Sequence, residues 1–273
     1  MKFRFIPALL ITALALPVAA LAQEAEHEMK DESLVQVLTW EVAPDQTDEW
    51  EAVIKEIVDA AKAANLGHDY GWTFYSKNNE YTLIYPIANY AYFDDPMQWM
   101  RQFEGTEGNE ALQAAMAKFP TIDHRVVNEM ISVHKMDWSY MPGDMADLQQ
   151  KMMDHGYVEL FEFSIRPGKN EEFSEIIKEY MTFFKEIGYP YPIMGHNTKF
   201  GQSGRAVFVT MIDDLSDFYG ENSFEATVAK ANATERMQEL WTKFTPTITD
   251  WDQTIMRHHP EDSRSQRKRK GEA

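Results

Sequence analysis

The sequence predicts an α+β fold made of two tandem copies of one βαββαβ unit, and two observations carry that expectation. The chain matches itself about 123 residues apart: Val35-Gln-Val-Leu-Thr-Trp-Glu-Val-Ala-Pro44 is answered by Val158-Glu-Leu-Phe-Glu-Phe-Ser-Ile-Arg-Pro167. The match continues without a gap, with Asp48, Glu49, Trp50, Val53, Ile54, Lys55 and Glu56 set against Glu171, Glu172, Phe173, Ile176, Ile177, Lys178 and Glu179. A self-match of this length marks two copies of one structural unit. The second observation is that each copy changes its apolar period from 2 to 3.6 and back, which is the order strand, helix, strand, strand, helical segment, strand.

In the first copy, Leu34 to Val42 is an opening strand rich in β-branched and aromatic residues, and Pro44 ends it. Asp45-Gln-Thr-Asp-Glu then starts a helix. Its apolar residues Trp50, Val53, Ile54, Ile57, Val58 and Ala61 fall on one face, as Phe173, Ile176, Ile177, Tyr180, Met181 and Phe184 do in the second copy. Gly67 and Gly188 are expected helix stops. Strands follow at Tyr70–Ser76 and Tyr81–Ala88, turning at Lys77-Asn78-Asn79; their counterparts are Ile193–Phe200 and Arg205–Ile212, turning at Gly201-Gln-Ser-Gly204. Helical segments are expected at Pro96–Phe103 with Glu110–Phe119, and at Phe224–Phe244. Closing strands are expected at Arg125–His134 and Ile248–His258.

The order βαββαβ is the ferredoxin-like motif, which covers one sheet face with helices and leaves the other bare. Two copies in one chain bury that face by packing sheet on sheet. On its repeat, its element order and its strand–Pro–amphipathic-helix opening, the sequence resembles the dimeric α+β barrel superfamily. The likeness is to its NIPSNAP-like and antibiotic-biosynthesis-monooxygenase-like members. The resemblance implies an intrachain barrel with ligands inside it or between sheet and helices. Some two-repeat relatives bind haem through a histidine on a helix of the second half. Here His196, His258 and His259 fall on expected strands, so no cofactor is expected.

Residues 1–22 read as a signal peptide: Lys2 and Arg4, an apolar run from Phe5 to Leu16, Pro17, and the cleavage pattern Ala20-Leu21-Ala22. The expected destination is periplasmic or secreted, with no transmembrane segment. The remaining organisation is an acidic lead-in at 23–33, a first repeat at 34–135, a Met-rich connector at 136–156, a second repeat at 157–259 and a basic, disordered tail at 260–273. In the connector, Met145, Leu148 and Met152 would share one side of a short helix. Loss of the signal takes the net charge from −18 to −20, which argues against nucleic-acid binding. There is no cysteine, so thiolate chemistry is excluded. The connector methionines with His134 and His155 have a composition suited to Cu(I), but an apolar stripe explains them better, and no metal site is expected. One chain supplies both barrel halves, so a monomer should fold alone, with a homodimer also allowed.

Strand alternation sorts the candidate site residues. Leu38, Trp40 and Val42, with Phe161, Phe163 and Ile165, form the helix-covered face. Val35, Val37, Thr39 and Glu41, with Val158, Leu160, Glu162 and Ser164, form the inner face. A carboxylate on that face would have a raised pKa and serve as a base. Glu162 and His196 are therefore the candidate catalytic pair, and they are expected to share one interior space. Thr39, Glu41, His68, Trp72, Tyr75, Tyr85, Ser164 and Tyr191 are candidate ligand contacts. Glu162 is matched in the first copy by Thr39, and His196 by the Trp72–Thr73 region. Two function classes lead: a binding barrel for a small apolar or aromatic molecule, and a cofactor-independent monooxygenase using Glu162 or His196 as base. A non-catalytic structural or interaction protein is the third.

Overall fold

A computed structural model describes residues 33–64, 72–95, 98–143, 151, 154–201 and 204–263. The expectations for the signal peptide, for the lead-in before Ser33, for His68 and Gly67, for the connector helix and for the basic end of the tail lie outside those residues.

Eight strands close into one antiparallel barrel. They are β1 (Leu34–Val42), β2 (Thr73–Lys77), β3 (Glu80–Ile87), β4 (His124–Tyr140), β5 (Tyr157–Ile165), β6 (Ile193–Phe200), β7 (Arg205–Ile212) and β8 (Ile248–His258). The order round the barrel is β1-β3-β2-β8-β5-β7-β6-β4, so the two halves of the chain meet along β2–β8 and β4–β6. Helices α1 (Thr47–Ala63), α2 (Gln98–Arg101), α3 (Asn109–Lys118), α4 (Asn170–Ile187), α5 (Ser216–Tyr219), α6 (Phe224–Lys230) and α7 (Thr234–Phe244) complete the order. Among the described residues no helix is long and apolar enough to cross a membrane.

Period-2 alternation divides the barrel wall as the sequence predicts. Outside, Trp50 and Val53 of α1 pack on Val42, Phe74 and Tyr81, with Trp40 and Leu83 against them. In the second half, Phe173, Ile176 and Ile177 of α4 pack on Trp138, Ile165, Phe208 and Ile212, with Phe161 and Phe163 alongside. Inside, Val37, Tyr75, Met130, Val158, Val207, Val209, Met211 and Met256 form a separate cluster. The α4 helix stops at Gly188, whose φ of 64° is left-handed backbone that costs glycine little.

Three expectations change. The strand expected to end at His134 runs on to Tyr140, because β4 keeps pairing with β6 as far as Tyr140↔Ile193 across a register shift. The part of the connector from Met136 is therefore sheet. The helix expected over Phe224–Phe244 is two helices, α6 and α7, broken where Asn232 takes a φ of 53°; asparagine tolerates that conformation better than most residues. The beginning of the expected tail is built into the fold: Ser263 Oγ accepts from Phe74 N at 2.9 Å, and Asp262 O accepts from Trp72 Nε1 at 2.8 Å.

Candidate functional site

The barrel register brings the inner-face polar residues into two rows. One runs Asn128–Thr39–Thr82–Tyr75–His258 across β4, β1, β3, β2 and β8. The other runs Asp252–Glu162–Val207–His196–His134 across β8, β5, β7, β6 and β4. Each member of a row is the cross-strand partner of the next, so all five share the inner face. Glu162 and His196 thus lie on one face, separated by Val207 on the strand between them.

The rows differ in how their polar atoms are satisfied. In the first, Thr39 Oγ1 and Thr82 Oγ1 are 3.0 Å apart. Tyr75 Oη lies 3.2 Å from His155 Nε2, and the His155 ring stacks on His258 with centroids 4.0 Å apart. His258 Nδ1 in turn donates to His155 O at 2.8 Å. Burial holds the Tyr75 phenol far above its ordinary pKa, so it stays protonated. In the second row, Arg205 Nη1 donates to Glu162 Oε2 at 2.8 Å, so the carboxylate expected to stand alone in an apolar space has a cation beside it. His196 Nδ1 is buried without a hydrogen-bond partner, and the nearest ring is His134 at 5.2 Å. Burial, reinforced by His134, pushes the His196 imidazole down to about 3, so it is neutral across the physiological range.

Burial varies along the inner face. Val35, Ile84, Leu160, Met194 and His196 keep partial accessibility although they point into a closed barrel, whereas Val158, Met211 and Met256 beside them are buried.

The other expected contacts scatter. Glu41 sits at the rim in an ion pair with exposed Arg125. Ser164 lines an open cleft of about 600 Å³ with Arg166, Asn170 and Arg205. Tyr85 lies on the outer face, its hydroxyl donating to Gln36 and its ring 5.9 Å from Tyr92. Trp72 packs under α1 with Ala60, Ala61, Phe103 and Leu112. Tyr191 belongs to the helix-side core of the second half. Parity explains Tyr85: only every second residue of a strand faces inward, and Tyr85 has the outward parity of Gln36, its partner on β1. The register also makes Tyr75, and not the Trp72–Thr73 region, the counterpart of His196, since Tyr75 reaches Thr39 through Thr82 as His196 reaches Glu162 through Val207.

Sequence reasoning missed Glu159. It has the helix-covered parity of Phe161 and Phe163, is buried, accepts from Gln253 Nε2, and its carboxyl is pushed up to about 7 by burial. The signal was present, because Glu159 is the one charged member of an otherwise apolar alternation. Gln36 stands at its counterpart in the first half.

No protein-family model matches the chain, and no curated protein matches it in sequence. Solved structures do. A provisionally named monooxygenase from Fusobacterium nucleatum superposes with a TM-score of 0.52 at 12% identity, over 84% of this chain and 94% of that one. A protein from Lactobacillus acidophilus with the same designation gives 0.49 at 10% identity, over 86% and 97%. A NIPSNAP family protein of Agrobacterium tumefaciens gives 0.32 at 13% identity, over 38% of this chain and 88% of that one. At such identities a likeness carries fold and not chemistry. The chain is similar in fold to the dimeric α+β barrel superfamily.

Proposed function

We propose that the chain is a tandem duplication of a ferredoxin-like unit, exported from the cell, whose barrel interior holds a small, largely apolar or aromatic molecule by one polar group. The duplication is supported by a backbone contact repeated in the two halves, with acceptors 123 and donors 124 residues apart: His134 N donates to Ser33 O and His258 N to Gly156 O, both at 2.9 Å. The binding reading is carried by His196. A buried nitrogen without a partner costs about 1–3 kcal/mol, and a ligand donor or acceptor in the lumen recovers that cost. Around it, Met130, Met194, Val207 and Val209 offer an apolar wall, two of them with side chains flexible enough to adapt to a guest. An apolar cavity with few polar contacts is the usual form of a small-molecule site.

A monooxygenase is the second reading, and it shares its reaction class with the names given to the structural neighbours. At the two expected bases the chemistry opposes it. An imidazole held near 3 cannot keep a proton taken from a phenol, and Glu162 is engaged by Arg205.

The test is mass spectrometry of small molecules released from the natively purified protein and from His196→Ala, with folding checked by circular dichroism. A molecule retained by the wild type and lost from the folded variant is the expected result. Equal retention by both, or release of nothing but water, would overturn the reading. Oxygen uptake by the wild type with the released molecule would favour the enzyme.

A further inference from the structure

Beyond the barrel lumen, the turn that follows β8 gathers three metal-binding side chains. One donor atom each from His259, Glu261 and Asp262 lies within 4.8 Å of the other two. We propose that these residues form a site for a divalent transition cation of the zinc class, outside the barrel and independent of any ligand within it.

Two observations set this cluster apart from an ordinary acidic surface. Asp262 is only 5% exposed, yet its Oδ1 has no hydrogen-bond partner, so a carboxylate oxygen has been taken out of water with nothing to replace it. His259 is equally buried, and its ring is already oriented as a ligating histidine is. Nε2 lies 2.7 Å from Ser76 Oγ, which fixes the ring and leaves Nδ1 facing the Glu261 carboxylate at 3.8 Å. A hydrogen bond on the second ring nitrogen is the usual support of a metal-bound imidazole.

The surrounding charges are consistent with a cation. Glu51 and Glu261 act on Asp262 in the same sense, and the lysines in range, Lys55 and Lys62, both pair with Asp59, at 2.9 and 3.6 Å. One imidazole nitrogen with two carboxylate oxygens and no thiolate suits zinc and its neighbours better than calcium or copper(I). Donor atoms round a tetrahedral zinc are about 3.3 Å apart, as bonds of about 2 Å require, so the three groups must close slightly. Glu261 is 61% exposed and free to swing. Bound there, the ion would hold the end of the chain against β2, where Trp72 and Phe74 already bond to Asp262 and Ser263.

The experiment uses the full chain stripped with a chelator and titrated calorimetrically with zinc alone, for the wild type, Asp262→Asn and Glu261→Gln. Thermal unfolding is recorded with and without the ion. One equivalent bound by the wild type, at least a tenfold loss of affinity in each variant, and a rise in midpoint confined to the wild type are expected. No stoichiometric binding, or binding unchanged in both variants, would overturn the proposal. Glu261 is exposed, so Glu261→Gln remains decisive if Asp262→Asn fails to fold.

Discussion

Replacing Glu159 with glutamine should stabilise the protein, and the gain should grow with pH. Glu159 is buried between the sheet and the second-half helices, and burial raises its carboxyl from 4.5 to about 7, against the pull of the Gln253 hydrogen bond. A group whose folded pKa is raised contributes most below its unfolded value. Its contribution is lost as pH rises from the unfolded value through the folded one. At about 1.4 kcal/mol per pH unit, the whole window is worth about 3 kcal/mol, of which about 2.5 kcal/mol falls between roughly pH 5 and pH 8. The glutamine variant has no charge to bury. It keeps the volume, and the first half already accommodates Gln36 at the matched position, with Tyr85 and Glu129 as partners. Urea unfolding of both proteins across that range is the assay. The stability difference should be small near pH 5 and approach the full value near pH 8, with unchanged dependence on urea concentration. Parallel pH curves would refute the reasoning, because they would mean that the carboxylate is as well solvated in the folded chain as in the unfolded one.

Two further outcomes follow from the packing. Trp50 and Phe173 are matched anchors of α1 and α4, both 0% exposed, and alanine at either should cost about 3–5 kcal/mol by urea unfolding; a cost below about 1 kcal/mol at one of them would show that its helix is not anchored there. In the β6–β7 turn, Gly201 and Gly204 have φ of 87° and 84°, but a Cβ on Gly201 would meet Glu129 O at 2.2 Å while one on Gly204 meets nothing within 4 Å. Gly204→Ala should therefore cost about 1–2 kcal/mol of backbone strain and Gly201→Ala clearly more, and equal thermal shifts would contradict that ordering.

Much of the barrel was legible because a buried two-sided wall forces strict alternation. The expected bounds of β1, β6, β7 and β8 are those observed, and the two faces of β1 and β5 are assigned correctly by parity alone. The end of β4 was not legible, because Lys135 and Asp137 interrupt the apolar pattern just before Trp138 and Tyr140 reach the helix-side core. Cross-strand matching failed for a different reason. The constant spacing of 123 holds through the first strand and helix, but Thr39 to Tyr75 spans 36 residues where Glu162 to His196 spans 34, so the connection from helix to strand is two residues shorter in the second half. Counting along the chain therefore misses that Tyr75 and His196 are counterparts, which only the hydrogen-bonded register reveals. Asp262 was hidden by its neighbourhood: a segment that ends in Arg267-Lys268-Arg269-Lys270 reads as solvated, although its first residues are packed.

The comparison of the two inner rows gives the strongest reason to look for a guest in the lumen. Both rows sit in the same fold, on matched strands, and face the same enclosed space. In the first, every step toward polarity is answered from within: Thr39 by Thr82, and Tyr75 by His155, which stacks on His258. The second puts a charged pair at one end and a neutral imidazole with an unpartnered nitrogen at the other. Selection for stability alone has an inexpensive remedy, since a phenylalanine or methionine at position 196 would remove the unsatisfied nitrogen and keep the apolar packing. On the proposed reading, a group that costs stability and could be lost so easily is held for a guest that meets its free nitrogen, and the loss of that guest from His196→Ala is the result on which the reading stands.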